Sequence, residues 1–503
     1  MNLDDLLKDS SIEAKAETGK QWSEYQKAVF THIRESRKSR IVEAVAGSGK
    51  TTTIVEGMKY LPQGSSALFL AFNRAIADEL GQRVPAGVQA STFHALGNAA
   101  LRASNSRLRL DKGKVWRHLA DNYNSKYKKL FFPVKRLVEL ARGQVGMEDD
   151  PRFIAALIDN YDVDIPRNGG TGNADNEDAV VAMALSTLKS ISLRTAKTYD
   201  FADMLYLPVK WRLPMTRYEN IFVDEVQDTA DIQRDMLRLS LELGGQLTAV
   251  GDTFQAIYGF RGANTASMSV TKAEFQCDSL PLSISYRCPR AVVELARTMV
   301  PHIEACATAP DGAVRRDAEL DVEKLSPEDM ILCRNNAPLL ELALQLLAAR
   351  KPMRLMGDFQ EVLESFIRRF DADTIVELRI RMNKWLEKEI ADCEAKEQWG
   401  KLARAQDRVE CMCVLMPGHE TVDDMLGTLA KLFTPGMGPT LSSIHKAKGM
   451  ESRRVWILRP DLMPSKYART DAAKQQEQNL LYVAITRARE ELNFIAVQEK
   501  DID

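Results

Sequence analysis

Two adjacent carboxylates and a glutamine close the apolar run Ile221-Phe222-Val223-Asp224-Glu225-Val226-Gln227-Asp228. A buried strand that delivers such a pair to its carboxyl edge can hold a hydrated Mg²⁺ through Asp224 and orient a water with Glu225. Short acidic runs are common on solvated loops, so the pair takes its meaning from a partner upstream. Ala44-Val45-Ala46-Gly47-Ser48-Gly49-Lys50-Thr51 follows the apolar Ile41-Val42, giving a strand, a phosphate loop and a helix start in order. The glycines let the amides of Ala46, Gly47, Ser48 and Gly49 turn inward around phosphates, Lys50 reaches the terminal phosphates, and Thr51 offers a hydroxyl to Mg²⁺, with Thr52 beside it. Ala44 stands where the usual pattern has its first glycine, so that position must adopt a backbone conformation alanine tolerates. A plain Gly-Ser turn before a helix would not require Lys-Thr after the last glycine. Gln227 and Asp228 exceed what hydrolysis needs and suggest that something is coupled to it.

The remainder of the chain must build the frame for this chemistry. At 503 residues it is long enough for several domains with sizeable cores. Its net charge of −2 does not announce a polyanionic partner, so nucleic acid would have to meet a local patch. The seven cysteines are scattered without metal-type pairs, which suits a reducing compartment. The acidic start MNLDDLLKDS is no signal peptide, and no apolar stretch is long enough to span a bilayer.

Short apolar strands fall into two sets separated by helical patterns. Residues 40–46, 67–72, 221–223 and 246–250 form the first, and 330–333, 440–444, 455–458 and 492–497 the second. This alternation predicts an α/β protein with two parallel sheets covered on both faces. Residues 101–198 and 361–437 read as mainly helical insertions, the first with the basic run Lys126-Tyr127-Lys128-Lys129. No internal repeat is evident.

Further clusters follow in a fixed order: Ser91-Thr92-Phe93-His94, Gly251-Asp252-Thr253-Phe254-Gln255-Ala256-Ile257-Tyr258-Gly259-Phe260-Arg261-Gly262, Ser285-Tyr286-Arg287-Cys288-Pro289, Ser443-Ile444-His445-Lys446-Ala447-Lys448-Gly449-Met450-Glu451 and Ala484-Ile485-Thr486-Arg487. The ordered set resembles the superfamily 1A DNA helicases of the UvrD/Rep/PcrA type, from about Trp22 to Val497. The wording of LAFNRAIADEL, Tyr199-Asp200-Phe201-Ala202-Asp203-Met204 and SIHKAKGME is similar to the F-box helicase branch, although no F-box is visible.

The resemblance implies two RecA-like P-loop domains: 1–100 with 199–285 (1A), carrying insertion 101–198 (1B), and 286–360 with 438–503 (2A), carrying insertion 361–437 (2B). It implies ATP and Mg²⁺, with Asp224 and Thr51 on the metal and Glu225 activating water. Gln26 would read adenine through an amide that both donates and accepts, Tyr286 would stack on the base, and Glu451 would touch the ribose. Gln255 would sense the γ-phosphate, which Arg287 and Arg487 would reach from the second domain. Phe72, Asn73, His94, Tyr258, Phe260, Arg261 and His445 lie in segments that line the family's DNA track, where aromatic faces stack without reading sequence. Phe72 is one position from the family's aromatic, and Phe260 stands where close relatives carry tryptophan.

Implied activity is an ATP-dependent 3′ to 5′ translocase that unwinds duplex, acting on single-stranded DNA and single-strand/duplex junctions in replication, repair or recombination, with proteins of those processes as partners. Its setting would be the cytoplasm, on the nucleoid, or a nucleus. An ATPase that strips proteins from DNA without productive unwinding needs the same motor, and the residues do not separate the two. The basic stretch from Arg102 to Arg142, with Tyr123, Tyr127, Phe131 and Phe132 interleaved, reads either as a phosphate-contacting surface or as a solvated helical face.

Overall fold

In the computed structural model, residues 21–71, 73–161, 163, 165, 174–257, 266–357, 359–395, 397–433 and 436–496 are described. By its contacts the chain divides into two units, Met1–Ala44 with Gly49–Leu282 and Val45–Ser48 with Ser283–Asp503.

The large sheet of the first unit has six strands: β1 (Arg40–Ala44), β2 (Ala67–Ala71), β3 (Val88–Thr92), β4 (Tyr218–Val223), β5 (Leu241–Gly251) and β6 (Asp278–Leu282). They pair in the order β3-β2-β4-β5-β1-β6, every pair parallel. Alternate residues serve opposite faces, as a two-residue side-chain period requires. Ile41, Leu68, Leu70, Ile221, Val223, Leu247 and Ala249 join one core, while Val42, Phe69, Phe222 and Val250 join the other. Helices over both faces explain why these strands are apolar throughout. The edges differ: β3 is polar and only half-buried, and β6 contains Pro281, which an edge strand accommodates.

Helices Lys114–Asn122, Phe131–Ala141, Pro151–Asn160 and Ala174–Ile191 form a group with a separate apolar core that includes Leu119, Val134, Leu137, Ile154 and Val180. Four buried charges fasten this group to the sheet layer. The Lys114 ammonium lies 2.7 Å from the Asp203 carboxylate, and the Arg142 guanidinium 2.7 Å from Asp200. Asp200 and Asp203 are locked to each other: the Asp200 N–H donates to the Asp203 carboxylate at 3.0 Å, and the Asp203 N–H to Asp200 at 2.9 Å. This is the TyrAspPheAlaAsp segment, whose two acids serve as structural anchors.

The second unit has the same plan. Strands β7 (Ala313–Ala318), β8 (Asp329–Cys333), β9 (Arg354–Met356), β10 (Thr440–Ser443), β11 (Ser452–Ile457) and β12 (Ala488–Ile495) pair in the order β7-β12-β11-β8-β10-β9, again all parallel. Helices Phe359–Arg368, Ile375–Ala395, Trp399–Leu415 and Val422–Leu432 share a core with the sheet. Leu363, Phe366, Leu378, Met412 and Leu429 belong to one cluster with Ile331, Cys333 and Leu441 of the sheet. Asp407 from this group caps the helix Ala337–Ala348, accepting from the Asn336 N–H at 2.8 Å and the Ala337 N–H at 3.2 Å. Among the described residues, no helix is long and apolar enough to cross a membrane.

Candidate active site

Because the first sheet is parallel throughout, the chain leaves every strand at one edge, and the chemistry gathers there. Ala44 is the last residue of β1, in ordinary extended backbone, which is why alanine serves where a glycine is usual. The left-handed conformation falls instead on Gly47 (φ 73°) and Gly49 (φ 76°), the latter capping the helix Lys50–Gly57. Strand β4 delivers Asp224 and Glu225, and β5 delivers Asp252. Glu225 takes a left-handed backbone (φ 54°), a cost that a non-glycine residue bears where its orientation matters.

The Thr51 hydroxyl donates to Asp224 at 2.7 Å, and the Lys50 ammonium lies 3.0 Å from Glu225. Burial opposes the Lys50 charge, but Glu225, Asp252 and Asp224 outweigh it and raise its pKa. Burial and the Glu225 charge push the Asp224 carboxyl up to about 6, against the pull of Lys50. Burial likewise lifts Asp252 to about 6. Crowding three acids around one lysine leaves surplus negative charge, the setting in which a divalent cation is welcome. A hydroxyl beside a carboxylate is a hard oxygen pair suited to Mg²⁺, and the buried Ser48 hydroxyl has no hydrogen-bond partner among the described residues, so the residues fit both a metal and a phosphate group.

Gln227 turns out to be a bridge. Its amide nitrogen donates to the Glu225 carboxylate, and its carbonyl accepts from the Asp252 N–H at 3.1 Å. Asp252 in turn accepts from the Gln255 amide at 2.7 Å. A Cβ on Gly251 would fall 2.4 Å from the Gln227 carbonyl oxygen, so glycine at that position makes room for the bridge. Gln26 is buried beside the phosphate-loop helix, donating to Thr53 at 3.0 Å, while its carbonyl completes the cap of its own helix at Ser23. Thr52 is half-buried on the helix, and Thr53, unassigned from sequence, reaches back to the Gly49 carbonyl.

The second unit contains the other candidates. The Tyr286 N–H donates to the Gly47 carbonyl at 2.9 Å, and the Tyr286 side chain is 46% exposed, leaving a face for a base. The Ala46 N–H donates to the Tyr482 hydroxyl at 2.9 Å. Arg287 pairs with Glu451 at 2.6 Å. Arg487 is 1% exposed, its guanidinium donating to the carbonyls of Val483 at 2.9 Å and Met450 at 3.1 Å. Glu451, expected at a ribose, thus engages an arginine, and Arg487, expected at a phosphate, donates to the Val483 and Met450 carbonyls.

Among the DNA candidates, Asn73 caps the helix after β2, and His94 lies exposed after β3. His445 is half-buried in the loop after β10. Phe72, Tyr258, Phe260 and Arg261 lie outside the described residues. Phe201, unassigned from sequence, is 52% exposed, 6.4 Å from the His94 ring in an edge contact, with the Lys112 ammonium 6.0 Å from its centre. Asp252 was missed as well, although its signal, an acid directly after an apolar strand, is the one Asp224 gives.

The family model for the UvrD/REP helicase N-terminal domain matches residues 22–276, and that for the UvrD-like helicase C-terminal domain matches 440–499. The ATP-dependent DNA helicase PcrA of Leuconostoc citreum is 28% identical over 286 residues, which cover 52% of this chain and 37% of PcrA. The ATP-dependent DNA helicase UvrD2 of Mycobacterium bovis is 26% identical across 89% of this chain and 75% of its own. F-box DNA helicase protein 1 of Schizosaccharomyces pombe is 22% identical across 90% and 55%. The match spans only 37–42% of the length of PcrA and its Rep relatives. With half of its residues in the N-terminal model and a second match at its C-terminal end, the chain belongs to the UvrD/Rep helicase family.

Proposed function

We propose that this chain is an ATP-hydrolysing DNA motor that moves 3′ to 5′ along single-stranded DNA and opens duplex ahead of it. Its two sheets would be the RecA-like domains, 1–100 with 199–285 and 286–360 with 438–503, carrying the helical insertions 101–198 and 361–437. The observation that carries the reading is the chain of contacts from Lys50 to Glu225, through Gln227, to Asp252 and Gln255. A hydrolysis site alone has no need of this extension. Bound at Thr51 and Asp224, Mg²⁺ would neutralise phosphate charge.

Glu225 serves as the base that takes a proton from the attacking water, a role worth ~10²–10⁴ in rate. Gln227 fixes the Glu225 carboxylate and passes any shift of it to the Asp252–Gln255 turn, whose sequence runs on to Tyr258, Phe260 and Arg261. Lys50 holds the terminal phosphate, joined by Arg287 and Arg487, whose positive charge is worth about 10³–10⁵ in phosphoryl transfer. Gln26 contacts the nucleoside, and Tyr286 stacks on it. Asn73, His94 and His445, with Phe72, Tyr258, Phe260 and Arg261, form the strand track, and exposed Phe201 extends it. The basic surface about Lys126 and Phe132, the latter 69% exposed, is a candidate phosphate contact whose affinity would fall steeply with salt.

Unwinding of 3′-tailed and 5′-tailed duplexes tests the polarity, and two variants test the site. Lys50→Ala should lose ATP binding, and Glu225→Gln should bind ATP and DNA yet hydrolyse poorly. Preference for the 5′ tail would reverse the direction, and loss of ATP binding in Glu225→Gln would remove the assignment of the base.

A further inference from the structure

In the second unit Arg287 and Glu451 are tied to each other, although the family resemblance gives each separate work. Arg287 Nε donates to Glu451 Oε2 at 2.6 Å, and Arg489 stands 3.5 Å from the other carboxylate oxygen. The backbone around Arg287 is seated on the phosphate loop. Its neighbour Tyr286 donates to the Gly47 carbonyl, and a Cβ on Gly47 would come 2.5 Å from the Arg287 Cβ. The guanidinium therefore lies within one side chain's length of the loop, and rotation about its own side-chain bonds is enough to change its partner. Its side chain is 21% exposed and that of Glu451 is 40% exposed, so the pair is wet enough to break and re-form. A phosphate competes well for such a head, since guanidinium forks match its oxygens and its charge exceeds that of one carboxylate.

We propose that Glu451 is a positioning residue that parks Arg287 beside the phosphate loop and releases it to the terminal phosphate when ATP arrives. This rests on the reading of Arg287 as a phosphate contact. ATP must displace the carboxylate, whereas ADP, lacking the γ-phosphate, leaves the pair intact. The resemblance-derived role for Glu451 makes the opposite demand, because a ribose contact would help to hold both nucleotides.

Calorimetric titration of the full chain with the non-hydrolysable imido analogue of ATP and with ADP, for wild type, Glu451→Gln, Arg287→Ala and the double variant, tests this. Glu451→Gln should tighten the ATP analogue about two- to fivefold, the scale of an exposed ion pair, leave ADP unchanged, and have no effect in the Arg287→Ala background. Weaker binding of both nucleotides in both backgrounds would make Glu451 a ribose contact and overturn the parking role. No change in Glu451→Gln, with Arg287→Ala still losing its preference for the ATP analogue over ADP, would overturn it too. If Arg287→Ala keeps that preference, the phosphate reading of Arg287 falls, and the parking role with it.

Discussion

Between Lys114 and Ile191 the helices close over an apolar core of their own and meet the sheet layer through Lys114, Arg142, Asp200 and Asp203. Between Phe359 and Leu432 the helices share one apolar cluster with β8 and β10, and reach the helix Ala337–Ala348 through Asp407. A group held by buried charge can be detached by removing one partner, because the charge left behind is costly. A group that shares its core loosens only together with the sheet beneath it, since each side chain is buried by both. Two helical segments that read alike in sequence are thus attached by different physics.

Breaking the charge anchor should give the largest effect. Arg142→Ala leaves Asp200 without its main cation and Asp203 with Lys114 alone, and should cost about 3–5 kcal/mol in chemical denaturation, with helices 114–191 becoming protease-sensitive first. A loss below about 1 kcal/mol would mean that the apolar contacts, not the charges, hold this group. Leu378→Ala, at a fully buried position, should cost about 2–5 kcal/mol. Hydrogen exchange should then show β8 and β10 losing protection together with helix 375–395, and loss confined to the helix would deny the shared core. Asp407→Ala should cost about 0.5–2 kcal/mol, the worth of a helix cap, read as faster exchange at the start of the helix Ala337–Ala348.

Acid should sharpen the contrast with the smallest shift. Burial raises the Asp200 pKa, but the charge and hydrogen bond of Arg142, the Asp203 N–H and Lys114 together hold it below the usual aspartate value. A carboxylate depressed in the folded state contributes stability above its unfolded pKa and loses it as pH falls through the folded one. Pepsin nicking should therefore rise in 101–198 before 361–437 as pH drops from about 5 to about 3.

The sheets show which features are written in sequence. The apolar runs at Ile41, Leu68, Ile221 and Leu247, and at Ile331, Leu441, Val455 and Leu492, mark the four central strands of each sheet. The strands not read are both edges of each: VQAST, DSLPL, AVRRDA and RLM. An edge is covered on fewer sides, so it tolerates proline and charge and loses the apolar signal. The site divides in a similar way. Lys50, Thr51, Asp224 and Glu225 were legible because phosphate and metal chemistry dictates residue type and spacing. Thr53 and Phe201 were not, because their roles arise from neighbours brought together by folding, Gln26 and His94, whereas Asp252 carries the signal that Asp224 carries, an acid at the end of an apolar strand. Arg487 was legible as a motif, yet its partners Val483 and Met450 were not.

The most direct measurement is steady-state ATP turnover by the full chain in Mg²⁺, with and without an unstructured single-stranded DNA oligonucleotide. If the Glu225–Gln227–Asp252–Gln255 chain links hydrolysis to a strand track, DNA should raise turnover severalfold or more, and Gln227→Ala should lose that stimulation to a far greater degree than it lowers basal hydrolysis. Turnover indifferent to DNA, or full stimulation in Gln227→Ala, would contradict the link.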